Sequence, residues 1–144
     1  MTYGPIDFIA LELGTEQLKG EAMTALLELV ENKIIRLVDL VVVVKDGDGN
    51  HEALEMQELE PDLIAVLNPL EVEVTGLVQV EDIEVIADAL ENNKTAAILL
   101  VENLWAIKFS EAVSRANGRL LMYDRIPFEV VNETLEMFEK EESA

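Results

Sequence analysis

Strand-like and helix-like hydrophobic patterns alternate along the first third of the chain. IDFIALEL at 6–13 and IIRLVDLVVVVK at 34–45 have strand composition, although Arg36 and Asp39 interrupt the second run. Between them, apolar residues recur every three or four positions from 18 to 30, which indicates one buried helix stripe. The first part of the chain therefore predicts a β-α-β unit.

The middle of the chain is less regular. HEALEMQEL at 51–59 mixes apolar residues with glutamates, as in an edge strand protected by charge. A short helix is predicted after Pro61, followed by irregular structure at 71–80. Apolar positions at 81–90 again have helical spacing, so a longer helix is predicted there.

The pattern of the last third repeats the plan of the first. TAAILLV at 95–101 is apolar without alternation and predicts a strand in the middle of the sheet. Residues 103–116 have helical spacing, with Asn117-Gly118 as a left-handed stop, and RLLMYDRI at 119–126 has strand composition. The apolar stripe of the helix at 103–116 that we expect to face inward consists of Trp105, Phe109, Ala112, Val113 and Ala116. Pro127 suits the start of a closing helix.

These elements predict an α+β fold in a single domain, 1–144, whose acidic C-terminal end at 136–144 is expected to fray. Two β-α-β units with a hairpin strand between them favour a ferredoxin-like sandwich, with helices covering one face of a mostly antiparallel sheet. The right-handed crossover rule places the strands at 6–13 and 95–101 side by side in the centre.

The segment DGDGN at 46–50 is a candidate metal site. Asp46, Asp48 and Asn50 have the spacing of the first three ligands of an EF-hand loop, but His51 replaces the required Gly and Gln57 replaces the bidentate Glu. Asp-Gly between two strand-like runs is instead a strong hairpin signal. We interpret the segment as a hairpin turn, with the single histidine, His51, exposed beside it.

Charge and composition exclude several partners. Thirty acidic and ten basic residues give a net charge of −20, which repels nucleic acid and anionic membrane surfaces. The apolar runs are shorter than the roughly 18 residues of a membrane span, and the first residues do not have the pattern of a signal peptide. With no cysteine in the sequence, we expect a soluble protein of the cytoplasm.

Several segments also resemble a known family. They are GPIDFIALEL, LKGE at 18–21, IIRLVDLVVVVKDGDG, the ALEMQEL and EPD stretch, TAAILLVENLWA and GRLLMYDRIP. In this order they are similar to a bacterial family known only as a domain of unknown function. That family resembles predicted membrane-associated proteins with a Gly-rich apolar insert after the hairpin. Here EPDLIAVLNPLEVEVTGL stands in that place, so we expect no membrane element. The resemblance supplies no activity, cofactor or catalytic residue.

No catalytic constellation is recognisable, so we expect no enzyme, no catalytic residue and no cofactor. Two helices carry a second apolar edge: Leu104 and Ile107 on one, Val130 and Met137 on the other. Either these residues are scattered surface hydrophobes, or they form a homo-oligomer interface to which Trp105 or Tyr123 contributes. Association with itself or with another protein is the predicted function. The alternative is a module that binds a small ligand or a cation.

Overall fold

The computed structural model describes residues 4–13, 17, 19–72, 76–122 and 124–143. The chain divides into two compact units, Met1–Glu111 and Ala112–Ala144. Tyr123, the second predicted interface aromatic, lies outside the described residues. The prediction of a single domain stays a prediction.

The described residues form four strands, five α-helices and two 3-10 turns. The strands are β1 (Ile6–Glu12), β2 (Ile35–Lys45), β3 (His51–Glu55) and β4 (Thr95–Asn103). The helices are α1 (Glu21–Glu31), α2 (Pro61–Leu67), α3 (Val80–Ala89), α4 (Trp105–Arg115) and α5 (Phe128–Ser143). The 3-10 turns are Met56–Glu58 and Asn68–Leu70. None of the helices in the described ranges is both long enough and apolar enough to cross a membrane.

The sheet has the strand order β1-β4-β2-β3, and all three neighbouring pairs are antiparallel. Strands β1 and β2 therefore run parallel with β4 between them, and β3 and β4 run parallel with β2 between them. Strands β1 and β2, joined through α1, form one split β-α-β unit with β4 between its strands. Strands β3 and β4, joined through α2 and α3, form a second unit with β2 between its strands. The α+β class and the antiparallel sheet are thus confirmed.

The predicted position of β1 is only half right. Strands β1 and β4 are neighbours, as expected, but β1 lies at the edge while β4 and β2 form the centre. The ferredoxin-like arrangement is therefore not confirmed. The central strands are recognisable from their composition, because both are buried along nearly their whole length.

Helices cover both faces of the sheet, which corrects the prediction of one covered face. Side chains alternate between the faces of a strand, so Val42 and Val43 of β2 point in opposite directions. Val42 lies in a cluster with residues of α1 and α2, including Met23 and Leu67. Val43 lies in a second cluster with Ala87 of α3.

The predicted strand at 119–126 is wrong for the residues that the structure describes there, 119–122 and 124–126, which form neither strand nor helix. A strand-like composition cannot reveal whether a neighbouring strand with unpaired backbone groups is available. The other half of the second β-α-β unit is instead β3, which reaches β4 through α2 and α3. Asn117 has the predicted left-handed conformation, with a φ of +62°, and the acidic end is helical through Ser143.

Candidate functional site

The DGDGN segment closes the hairpin between β2 and β3. Asp46 organises the turn, because its Oδ1 atom accepts hydrogen bonds from the backbone N–H groups of Asp48 and Asn50, each at 2.9 Å. Gly49 has a φ of +86°, which suits glycine. One of the candidate metal-binding oxygens is thus used within the turn. In the ranges that the structure describes, no group of three or more His, Asp or Glu residues is placed to hold a metal ion.

Two carboxylates lie close together on the sheet. Glu55 of β3 is opposite Val41 of β2, and Asp39 lies one step further along the same face of β2. Asp39 is fully buried, and its Oδ1 atom accepts the N–H of Leu40. Among the residues that the structure describes, Oδ2 of Asp39 and Oε2 of Glu55 have no hydrogen-bond partner. Burial raises the pKa of Glu55, and the nearby carboxylates of Asp39 and Glu58 raise it further.

A third acid is buried with a partner. The side chain of Glu102 on β4 is 2% exposed, and its Oε1 atom lies 2.7 Å from both Nε and Nη2 of Arg36 on the neighbouring strand. Its Oε2 atom accepts the backbone N–H of Gly4 at 2.7 Å. Asn103 next to it donates to the carbonyl of Pro5 and to Asp7. This network fixes the end of the sheet, and we assign it a structural role.

A shallow cleft of about 250 Å³ lies between α3 and the sheet. Residues of β1, β4 and α3 line it, and Glu12 and Glu91 are the charged residues among them. Ligand pockets usually enclose about 300 to 1,000 Å³ and contain a few converging polar groups. The cleft is smaller than that range, so it gives little support to the small-ligand alternative.

The first turns of α4 expose large apolar side chains, but not the ones expected. Trp105 and Phe109, predicted to face inward, are 50% and 67% exposed. Leu104 and Ile107, predicted to face outward, are half-buried. Ile107 packs close to Gly4, where a Cβ atom would lie 3.1 Å from its side chain. The part of α4 in the first unit therefore exposes Trp105 and Phe109 more than Leu104 and Ile107, and the predicted interface at Leu104 and Ile107 stays a prediction.

Helix α5 in the second unit is apolar and exposed along its main stripe. This stripe, which we call the α5 stripe, consists of Phe128, Val131, Leu135 and Phe138, which are 39% to 71% exposed. Val130 and Met137, two of the predicted interface residues, lie on the other side of the helix and are exposed as well. Helix α5 therefore exposes apolar side chains on both sides, which is more apolar surface than is usual for a helix in contact with water.

The segment before α5 is also apolar and exposed. Leu120, Leu121 and Met122 are 71% to 82% exposed, and we call them the apolar segment. Residues 112–125 carry three basic side chains and one acid, a net charge of +2, in a chain whose total is −20. Helix α5 carries six glutamates and one lysine, a net charge of −5. The second unit thus contains two exposed apolar surfaces, and the segments that carry them have net charges of opposite sign.

Comparison with known proteins gives one match. The model of a family described as Family of unknown function (DUF6325) matches residues 2–143. No curated protein matches the chain, and no solved structure does. These comparisons therefore supply a family without an activity, a ligand or a functional residue.

Proposed function

The chain belongs to a family of unknown function, DUF6325, and from the geometry above we propose that it acts through protein–protein association, with a second copy of itself as the partner. The observation that carries this proposal is the exposure of the α5 stripe and of the apolar segment at Leu120–Met122. Contiguous exposed apolar surface of this kind is typical of interaction sites.

Apolar burial supplies the driving force. Complete burial of a Leu or Phe side chain contributes about 1.5 to 3 kcal/mol. The four side chains of the α5 stripe retain between 39% and 71% of their exposure, so a partner that covers them recovers a substantial part of this energy. Phe128 and Phe138, near the two ends of the helix, are the aromatic anchors that such interfaces favour.

Charge favours a second copy as the partner. The apolar segment is flanked by Arg119 and Arg125, whereas α5 is lined by glutamates. Packing α5 of one copy against the apolar segment of the other brings opposite charges together at the rim of the contact. A two-fold axis forms this contact twice, so every charge and apolar contribution counts double.

The test is sedimentation velocity over a concentration series, with Leu135→Gln as the disrupting variant. Leu135 is 54% exposed, so covering it contributes about 1 kcal/mol per copy, or roughly 2 kcal/mol per two-fold dimer. The dissociation constant of the dimer should therefore rise by about 25-fold. Arg119→Glu should weaken association as well, and more than Arg119→Gln.

Asn132→Gln on the same helix is the matched control, because Asn132 is exposed and the substitution keeps a neutral amide side chain. It should leave the dissociation constant unchanged. A wild-type chain that stays monomeric at about millimolar concentration, or a Leu135→Gln variant that associates like the control, would remove the proposal.

A further inference from the structure

The two edges of the sheet in the first unit differ in how they are protected against pairing. Strand β3 is only five residues long, carries Glu52 and Glu55, and ends where Oε1 of Glu58 accepts the backbone N–H of Glu55. These features are the usual protections of an edge strand. Strand β1 at the other edge is seven residues long, and five of those residues are exposed.

Strand β1 also exposes apolar side chains on both faces. Ile6 and Phe8 lie on one face and Leu11 on the other, and each is 41% to 45% exposed. In the described ranges, β1 pairs with β4 on one side, and no strand pairs with its other side. An open edge with apolar side chains on both faces can add a further strand by backbone hydrogen bonding.

We propose that the outer edge of β1 pairs antiparallel with β1 of a second copy, so that two four-stranded sheets become one continuous sheet around a two-fold axis. This interface goes beyond the surfaces proposed above, because it lies in the first unit and is made of backbone groups. Its occupant is a second copy because the sequence of β1 is compatible with itself in one specific register.

That register places Ile9 opposite Ile9 of the other copy. It is the two-fold register that pairs all seven residues of the strand. The acids of β1, Asp7 and Glu12, then lie opposite Leu11 and Ile6 of the other copy, so no carboxylate faces another carboxylate. Shifting the register until Asp7 meets Asp7, or Glu12 meets Glu12, brings like charges together and shortens the pairing.

The register predicts an effect of charge sign at Leu11, whose side chain is exposed and whose neighbour on β4 is Ala97. Leu11→Glu places an acid opposite Asp7 of the other copy, whereas Leu11→Lys places a base there. Both variants lose the same apolar side chain, and the contact occurs twice. The dissociation constant measured by sedimentation should be at least about tenfold higher for Leu11→Glu than for Leu11→Lys.

Because the whole chain is acidic, any lysine favours association over any glutamate, and a matched control pair is needed. Val85 on α3 is exposed, and Val85→Glu and Val85→Lys make the same two charge changes outside β1, on a helix that tolerates both residues. The ratio of dissociation constants for the Leu11 pair should exceed the ratio for the Val85 pair. Equal ratios overturn the β1 pairing.

Hydrogen exchange of the wild-type chain provides a test that does not depend on any variant folding. Backbone N–H groups of β1 that point away from β4 should become protected as the concentration rises through the association range. If the chain associates, loses this association in Leu135→Gln, and shows no added protection in β1, then the sheet-edge interface is wrong while the helix interface stands. Absence of any association overturns both.

Discussion

Replacing Arg36 by methionine should destabilise the first unit by leaving a buried carboxylate without its cation. Both Nε and Nη2 of Arg36 lie 2.7 Å from Oε1 of Glu102, whose side chain is 2% exposed. Methionine keeps part of the apolar stem of arginine and removes the guanidinium. The perturbation is therefore confined mainly to the loss of charge pairing.

The expected loss follows from the burial of both partners. Breaking a buried ion pair by removing one side costs about 3 to 5 kcal/mol, because the remaining charge is desolvated without compensation. The side chain of Arg36 is 25% exposed, so water reaches part of the site and the lower end of the range applies. We expect Arg36→Met to lower the free energy of unfolding by about 3 kcal/mol.

Denaturant unfolding followed by the fluorescence of Trp105 is a suitable assay. Trp105 is the single tryptophan of the chain, and its Nε1 group donates to Oδ1 of Asn103, directly after Glu102. Lys94→Met is the matched control, because it removes the same charge from an exposed position. It should change the stability by less than about 0.5 kcal/mol.

The double variant Arg36→Met with Glu102→Leu separates ion pairing from packing. Removing both charges takes away the unpaired carboxylate, so the double variant should be more stable than Arg36→Met by about 1 to 2 kcal/mol. Part of the loss remains, because the N–H of Gly4 loses its acceptor. A double variant that is less stable than Arg36→Met refutes the argument from a desolvated charge.

Four further variants, three in the first unit and Leu120→Ala in the second, are tested by denaturant unfolding. The raised pKa of Glu55 means that the charged form of this side chain is disfavoured in the folded state. The stability associated with protonated Glu55 is therefore lost as the pH rises through that pKa. Glu55→Gln should therefore be more stable than wild type at about pH 7, with the difference shrinking toward about pH 4. Leu67→Ala should cost about 2 to 5 kcal/mol because Leu67 is fully buried, whereas Leu120→Ala should change little. Asp46→Ala should cost about 1 kcal/mol, since two exposed backbone N–H groups lose the acceptor that holds the turn.

The sequence predicts the central part of the fold well because burial on both faces leaves a strong signal. TAAILLV in β4 and the valines of β2 are apolar without interruption, and both strands are central. The hairpin turn is predictable for a different reason, since Asp-Gly at 46–47 favours the backbone conformations of a tight turn. In both cases the residues that determine the structure are close together in the chain.

Packing between distant segments explains the failures. The inward face of α4 depends on Gly4, which lies far away in the sequence and against which Ile107 packs. The helix also begins at Trp105 because β4 continues through Asn103. Helical spacing alone shows that two apolar faces exist but does not show which one a distant segment covers.

The polar residues of β2 also depend on distant segments of the chain. In the sequence, Arg36 and Asp39 interrupt an apolar run, and the pattern does not show where their side chains lie. In the structure Asp39 is fully buried, and Arg36 pairs with an acid 66 positions away. The sequence does contain one signal for this ion pair. Glu102 directly follows the buried run of β4, and a charge in a central strand requires a partner.

Salt should separate the two proposed interfaces, because their electrostatics have opposite signs. The first unit carries six basic and 23 acidic residues, a net charge of −17, so pairing two copies through β1 brings together two strongly acidic bodies. The second unit carries four basic and seven acidic residues, a net charge of −3, and its proposed contact places the basic residues 112–125 against acidic α5.

At an ionic strength of about 0.15 M, charges separated by more than about 8 Å are already screened, and at about 1 M the screening length falls to about 3 Å. Added salt therefore reduces the repulsion across β1 and also the attraction across the α5 stripe. Association of Leu135→Gln, which retains only β1 pairing at full strength, should strengthen as sodium chloride rises. Association of Leu11→Glu, which retains only the α5 contact, should weaken over the same series. If both variants respond to salt in the same direction, the two contacts do not have the assigned charges, and at least one of them is placed on the wrong surface.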